Sequence, residues 1–186
     1  DLPIHEVPLL LQWFNDILSS RLRSLLALHF GEDKVGLNGS RIVVHDAFIV
    51  RYNAEEQKHL PLHRDESTYS FTIALNEYSD YDGGGTYIAD LGVSVRPKRG
   101  SVLSFRGDKL LHGGDPVTKG IRYVIVCFCY AVDESKENMK VFWKRRKMEA
   151  QSDQPNLSFH SASIYRYCKS MIHSLFISHL LTCSLL

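Results

Sequence analysis

Two histidines and an aspartate at positions 63, 65 and 112, with an arginine at 122, are the residues of this 186-residue chain whose types and spacing could do chemistry together. His63, Asp65 and His112 supply the donor set of a facial triad. Two imidazoles and one carboxylate occupy one face of an octahedral ferrous ion and leave three positions open, as dioxygen activation beside a second bound cofactor requires. His63 and Asp65 are separated by one residue, so a strand would send both side chains to the same side, while Arg64 and Glu66 point away. His112 follows Leu110 and Leu111, as at the end of an apolar strand, and precedes Gly113 and Gly114, which leave space near a metal.

Arg122 heads the run Arg122 to Tyr130, in which Arg122, Val124, Val126, Phe128 and Tyr130 share one strand face. A guanidinium at the head of an apolar face is costly to bury alone, whereas its planar fork matched to a carboxylate forms paired, charge-assisted hydrogen bonds. A dicarboxylate cofactor meets that need. Each of these residues taken singly has a bland reading, a surface or core histidine or a structural ion pair. The four together point to a site.

The stretch from Phe48 to Phe128 resembles the 2-oxoglutarate and Fe(II)-dependent dioxygenases of the prolyl and lysyl hydroxylase type. The resemblance is carried by Phe48-Ile-Val-Arg-Tyr52, Leu62-His-Arg-Asp65, Phe71 to Asn76, Tyr81-Asp-Gly-Gly-Gly-Thr86, Gly100 to Phe105, Leu111-His-Gly-Gly114 and Gly120-Ile-Arg-Tyr-Val124. It implies that His63, Asp65 and His112 bind Fe(II), that Arg122 binds the distal carboxylate of 2-oxoglutarate, and that Tyr52 faces the cofactor pocket. It implies a reaction in which O2 and 2-oxoglutarate give succinate and CO2 while a substrate side chain is hydroxylated, with ascorbate restoring the ferrous state. Asp65 argues against the halogenating relatives, which lack this carboxylate. An arginine ten residues after the distal histidine resembles the prolyl and lysyl hydroxylases rather than the nucleic-acid demethylating enzymes. Many prolyl hydroxylases carry lysine at this anchor, so arginine is closer to the lysyl type. The implied partner is a protein or peptide substrate; the competing readings are a non-catalytic jelly-roll binding module and a nucleic-acid-directed dioxygenase.

The elements that must position these residues are legible in the hydrophobic period. Val7 to Phe30 carries Leu10, Phe14, Ile17, Leu18, Leu22, Leu25 and Leu28 near helical spacing, a supporting helix. Short strand candidates follow at Ile42–Tyr52, Tyr69–Leu75, Thr86–Ala89, Val93–Arg96, Ser101–Phe105 and Ile121–Ala131. The expected fold is mainly β with flanking α, two packed sheets forming a double-stranded β-helix, or jelly roll. Thr72 and Asn76 share a strand face and are candidates to line the pocket. The loops Glu55–Leu60 and Asp80–Gly85 are expected at its entrance. Gly83 to Gly85 read as a hairpin turn rather than a phosphate cradle, because no helix start follows.

His45 and His59 read as structural or loop histidines. Cys127 and Cys129 share a strand face where a mutual disulfide would be strained, and a zinc site lacks a second ligand pair, so all four cysteines read as reduced thiols. The composition, 44% hydrophobic and 23% charged with net charge +1, fits one sizeable core and gives no global electrostatic reason for nucleic acid or an anionic membrane as partner. One catalytic domain is expected over residues 1–150, including a charged helix at Glu134–Glu149 with the basic cluster Lys144 to Lys147. Residues 151–186 read as a poorly ordered tail with no transmembrane span. The chain begins without methionine, so an upstream segment is expected, and both the cytosol and the secretory pathway are compatible with the sequence.

Overall fold

A computed structural model describes residues 1–132 and the strand at 183–185. The expected helix at Glu134–Glu149, its basic cluster and residues 151–182 of the expected tail lie outside the described residues.

The amino-terminal helix is built in three parts. Pro8, whose missing N–H costs nothing in the first turn, opens α1 (Pro8–Ile17). A π-helical turn at Leu18–Leu22 follows, and α2 (Arg23–Phe30) ends at Gly31, whose φ of 92° suits a residue without a side chain. The π turn inserts one residue, so the buried stripe moves from Leu10, Phe14, Leu18 and Leu22 to Leu26 and Phe30. Leu25 and Leu28, expected on that stripe, fall off it, and Leu28 is 79% exposed. A short α3 (Glu32–Val35) leads into the sheets.

Eleven strands are described: β1 (Leu2–Pro3), β2 (Ile42–Asn53), β3 (Leu60–His63), β4 (Tyr69–Ala74), β5 (Tyr81–Gly83), β6 (Thr86–Ile88), β7 (Val93–Val95), β8 (Val102–Phe105), β9 (His112–Gly114), β10 (Val117–Ala131) and β11 (Cys183–Leu185). The larger sheet has the order β1-β2-β10-β4-β8-β11, with β5 paired to the first part of β10. The smaller sheet has the order β3-β9-β6-β7. These two mainly antiparallel sheets form the jelly roll. β11 runs parallel along β8, so these three residues of the expected tail are part of the larger sheet.

β10 faces two ways. Tyr123, Ile125, Cys127 and Cys129 point to the helix side, where they join Leu10, Phe14, Leu22, Leu26, Ile49, Phe71 and Ile73 in the main core. Each such side chain contributes about 1.5–3 kcal/mol through burial. Burial among apolar neighbours pushes both cysteine thiols above their ordinary pKa, so they are packed as small hydrophobes. The opposite face of β10 carries Arg122, Val124, Val126 and Phe128 into the space between the sheets.

The Gly83–Gly85 segment is not a hairpin turn. β5 pairs with β10 in the larger sheet and β6 pairs with β7 and β9 in the smaller one, so the glycines carry the chain from sheet to sheet. All three have positive φ. A Cβ on Gly84 would stand 3.3 Å from Cδ of Arg122, so the crossing passes directly over the arginine stem. Among the described residues no helix is long and apolar enough to cross a membrane.

Candidate metal and cosubstrate site

β3 and β9 bring the two histidines together, because His63 and His112 are partners across one antiparallel rung and their rings stand 4.5 Å apart. His112 opens β9 and does not close an apolar strand; Leu110 and Leu111 lie in the preceding loop. Asp65 also differs from the simple strand expectation. It lies two residues beyond the end of β3, pinned where its N–H donates to the carbonyl of Gly107 at 3.0 Å. Its carboxylate oxygens nevertheless stand 3.3 Å from Nε2 of His63 and 3.4 Å from Nε2 of His112. One donor atom from each of the three residues lies within 4.8 Å of the others.

The outer hydrogen bonds determine which nitrogens are available. A carbonyl oxygen only accepts, so Nδ1 of His63 donates to Pro61 at 2.8 Å and Nδ1 of His112 donates to Leu110 at 2.9 Å. In the neutral rings each Nε2 therefore keeps its lone pair and turns it toward Asp65, the tautomer a metal ligand needs. Burial opposes ionisation of Asp65, but in the metal-free protein with the rings protonated at Nε2, hydrogen bonds from His112 and the Ser70 hydroxyl, together with the charge of the two imidazolium rings, hold its carboxyl below the ordinary range. Burial likewise opposes protonation of His112, and its contacts with Asp65 and Leu110 outweigh it, raising the imidazole pKa. Gly107 is required for this packing. A Cβ there would overlap the Ser70 hydroxyl and stand 2.6 Å from Oδ2 of Asp65.

Arg122 lies in the same pocket, 4% exposed. Its guanidinium sits 5.3 Å from the Tyr52 ring centroid and donates a long hydrogen bond of 3.4 Å to the Thr86 hydroxyl. Among the described residues no carboxylate comes within 4.0 Å of its nitrogens. Burial lowers its pKa, Tyr52 and Tyr81 act in the opposite direction, and Arg96 adds to the lowering. A buried cation without an anionic partner is costly, and an anion entering the pocket would offset that cost. Tyr52 is itself buried, with a pKa raised by burial, and a Cβ on Gly114 would stand 3.1 Å from its hydroxyl.

The cavity between these groups has a volume of about 230 Å³ and is lined by all five expected residues, His63, Asp65, His112, Arg122 and Tyr52. Thr72 lines it as well, and its buried hydroxyl has no hydrogen-bond partner. Asn76 does not line it. Its side chain instead bridges the larger sheet, donating to the carbonyl of Ile121 and accepting from the N–H of Tyr123. Ser70, Thr86 and Gly107 touch the candidate site residues Asp65 and Arg122, and pattern reading missed them. Ser70 was findable, since it alternates with Thr72 on one face of β4; Gly107 became visible only when the chain closed on Asp65. A donor set of two imidazoles and one carboxylate with fixed Nε2 lone pairs, a buried guanidinium without a carboxylate partner and an unpartnered hydroxyl fit a ferrous ion together with a dicarboxylate.

Comparison with known proteins agrees with this geometry. Residues 47–130 match the family model described as the 2OG-Fe(II) oxygenase superfamily. Procollagen-lysine,2-oxoglutarate 5-dioxygenase 1 of Rattus norvegicus is 45% identical over 85 residues, 44% of this chain and 12% of the relative. The multifunctional procollagen lysine hydroxylase and glycosyltransferase of Caenorhabditis elegans is 43% identical over 84 residues, again 12% of its length. The chain thus spans a small fraction of these curated relatives. A crystal structure of a 2OG-Fe(II) oxygenase family oxidoreductase from Burkholderia pseudomallei shares the fold, with TM-score 0.51 and 18% identity over 64% of this chain and 57% of that one. The matched segment runs from within β2 to the penultimate residue of β10 and so contains both walls of the pocket; over that segment the chain is similar to the 2OG-Fe(II) oxygenase superfamily and to the procollagen lysine hydroxylases.

Proposed function

We propose that this chain is an Fe(II)- and 2-oxoglutarate-dependent dioxygenase that hydroxylates a lysyl or prolyl side chain of a protein. The observation that carries the reading is the buried, unneutralised Arg122 opening into the same cavity as the triad. His63, Asp65 and His112 would hold the ferrous ion, and Arg122 with Tyr52 beside it would hold the distal carboxylate of the cosubstrate. Bound iron with 2-oxoglutarate supplies the oxidising chemistry, in which one oxygen atom of O2 enters succinate, the other enters the acceptor, and CO2 leaves. Ascorbate as the reductant that keeps iron ferrous belongs to the same proposal.

The residues of the chain divide the cavity along β10. Arg122 pairs with Tyr52, Val124 with Val50, Val126 with both Phe48 and Thr72, and Phe128 with Ser70. At about 3.3 Å per residue, Phe128 lies roughly 20 Å along the strand from Arg122. In the smaller sheet Thr86 pairs with Gly114 beside Arg122, and His112 comes two residues farther on. The triad therefore stands between a cationic end and an apolar end walled by Phe48, Val126 and Phe128. An acceptor with an aliphatic stem fits the apolar end, which supports a lysyl or prolyl side chain, as do the names of the relatives. No side chain of this site need act as a general base. The protein's part is to fix the ligand lone pairs through Pro61 and Leu110, to orient the cosubstrate through Arg122, and to keep water from the Phe48 and Phe128 end.

The decisive experiment is succinate formation from 2-oxoglutarate by anaerobically loaded Fe(II) protein on admitting O2, with candidate lysyl and prolyl peptides and with the His112→Ala variant alongside. Succinate from the intact chain alone, together with a gain of one oxygen atom on a peptide, is the expected result. No turnover together with no binding of iron or 2-oxoglutarate would overturn the reading in favour of a jelly-roll module that keeps only the fold.

A further inference from the structure

The two ligand-bearing segments are joined on their outer side by a residue that touches neither cavity nor metal position. Arg64 lies between His63 and Asp65 and points outward, where its Nε donates to the carbonyl of Lys109 at 2.9 Å and its Nη2 lies 3.9 Å from Oδ2 of Asp90. Asp90 in turn accepts from the N–H of Leu111 at 2.6 Å, and the N–H of Ala89 donates to the carbonyl of Leu111 at 2.8 Å. The carbonyl left between these tethers, that of Leu110, orients the His112 ring. The N–H groups of Lys109 and Leu110 turn back to the carbonyl of Arg106, so the links that leave this loop run to the histidine ring, to Ala89 and Asp90, and to the residue flanked by the other two ligands.

We infer that Arg64 is a positioning residue for the metal centre, acting with Asp90 to hold the His63 to Asp65 segment and the loop before His112 at one separation. The guanidinium and carboxylate are 52% and 41% exposed, so their ion pair is screened by water and adds little to global stability. What it sets is where the Leu110 carbonyl stands relative to Asp65, and with it the direction of Nε2 of His112. Losing an outer contact that orients a metal ligand typically costs about 10–100-fold in metal affinity. Arg64 is suited to the task because its planar fork addresses a carbonyl and a carboxylate at once, which a lysine ammonium on a flexible stem does less well.

This inference rests on the reading of His63, Asp65 and His112 as ligands, and the test separates the two. Co(II) is titrated anaerobically into the full chain and followed by visible absorption, and the thermal midpoint of the metal-free protein is measured beside it. Wild-type binding that disappears in His112→Ala establishes the ligands; if the wild type binds no Co(II), the ligand reading fails and this inference falls with it. Arg64→Ala is expected to weaken Co(II) binding by about tenfold or more while the metal-free midpoint stays within about 3 °C. Arg64→Lys should fall between the two, and Asp90→Ala should add less than its own effect to Arg64→Ala. Unchanged Co(II) affinity in Arg64→Ala, or a loss of affinity matched by a loss of metal-free stability, overturns the proposal. Should Arg64→Ala fail to fold, wild-type affinity in Arg64→Lys overturns it.

Discussion

Arg122 carries the most specific consequence at the scale of single residues. Removing its charge empties the cationic end of the cavity without touching the triad. Truncating one partner of a buried charged pair costs about 2–5 kcal/mol, so Arg122→Leu should weaken 2-oxoglutarate binding by at least about 30-fold while Co(II) affinity stays near the wild-type value. Calorimetric titration of the Co(II) form with 2-oxoglutarate measures it; equal losses of metal and cosubstrate would assign Arg122 to the fold. Gly107 carries a prediction of the opposite kind. A methyl group there meets Oδ2 of Asp65 and the Ser70 hydroxyl, so Gly107→Ala should impair Co(II) binding and destabilise the fold by about 1–3 kcal/mol, the cost typical of overpacking, seen as a lower thermal midpoint. The chemistry-bearing side chains were legible in the sequence because residue type and spacing alone restrict what His63, Asp65, His112 and Arg122 can do together. Gly107 was not, because a glycine that makes room for a side chain distant in sequence leaves no local mark. Asn76 shows the converse: strand alternation put it on the face of Thr72, but its amide is used by Ile121 and Tyr123 beyond the end of β4.

At the scale of elements, hydrophobic period identified the helix and the long strands, and it failed where geometry departs from period. The π turn at Leu18–Leu22 adds a residue that no 3.6-residue pattern anticipates, so Leu25 and Leu28 were assigned to a stripe that passes to Leu26 and Phe30. A pair of substitutions checks this phase by denaturant unfolding. Leu22→Ala, at a fully buried position, should cost about 2–5 kcal/mol, and Leu28→Ala should stay within about 0.5 kcal/mol of wild type. Gly83 to Gly85 illustrate a second limit. Their composition marks a break between strands, but which sheet each flanking strand joins depends on partners distant in sequence, β10 on one side and β9 on the other. The short strands β3 and β9 escaped period reading for a related reason: four and three residues are too few to alternate visibly, even though they carry the two histidines.

For the molecule as a whole, cavity and core share one sheet, so ligand binding should be felt as stability. A ligand that binds only the folded state stabilises it by about 2.7 kcal/mol at a hundredfold excess over its dissociation constant. Co(II) with 2-oxoglutarate should therefore raise the midpoint of the intact chain by several degrees and leave His112→Ala unmoved; an equal rise in both would place binding elsewhere. The strand that joins the two regions is β10, whose alternate residues serve the cavity and the helix-packed core. A slip of one position would exchange those sets, turning the Arg122 guanidinium into the packed interior and the Cys127 thiol toward the cosubstrate. Reading frame in space is thereby enforced twice, once by packing and once by charge. A single-residue insertion between Ile121 and Phe128 should be lethal to the fold, whereas one in the exposed loop at Glu55–His59 should be borne with little loss, so tolerance of length change along this chain follows the two-faced strand and not the distance from the metal ligands.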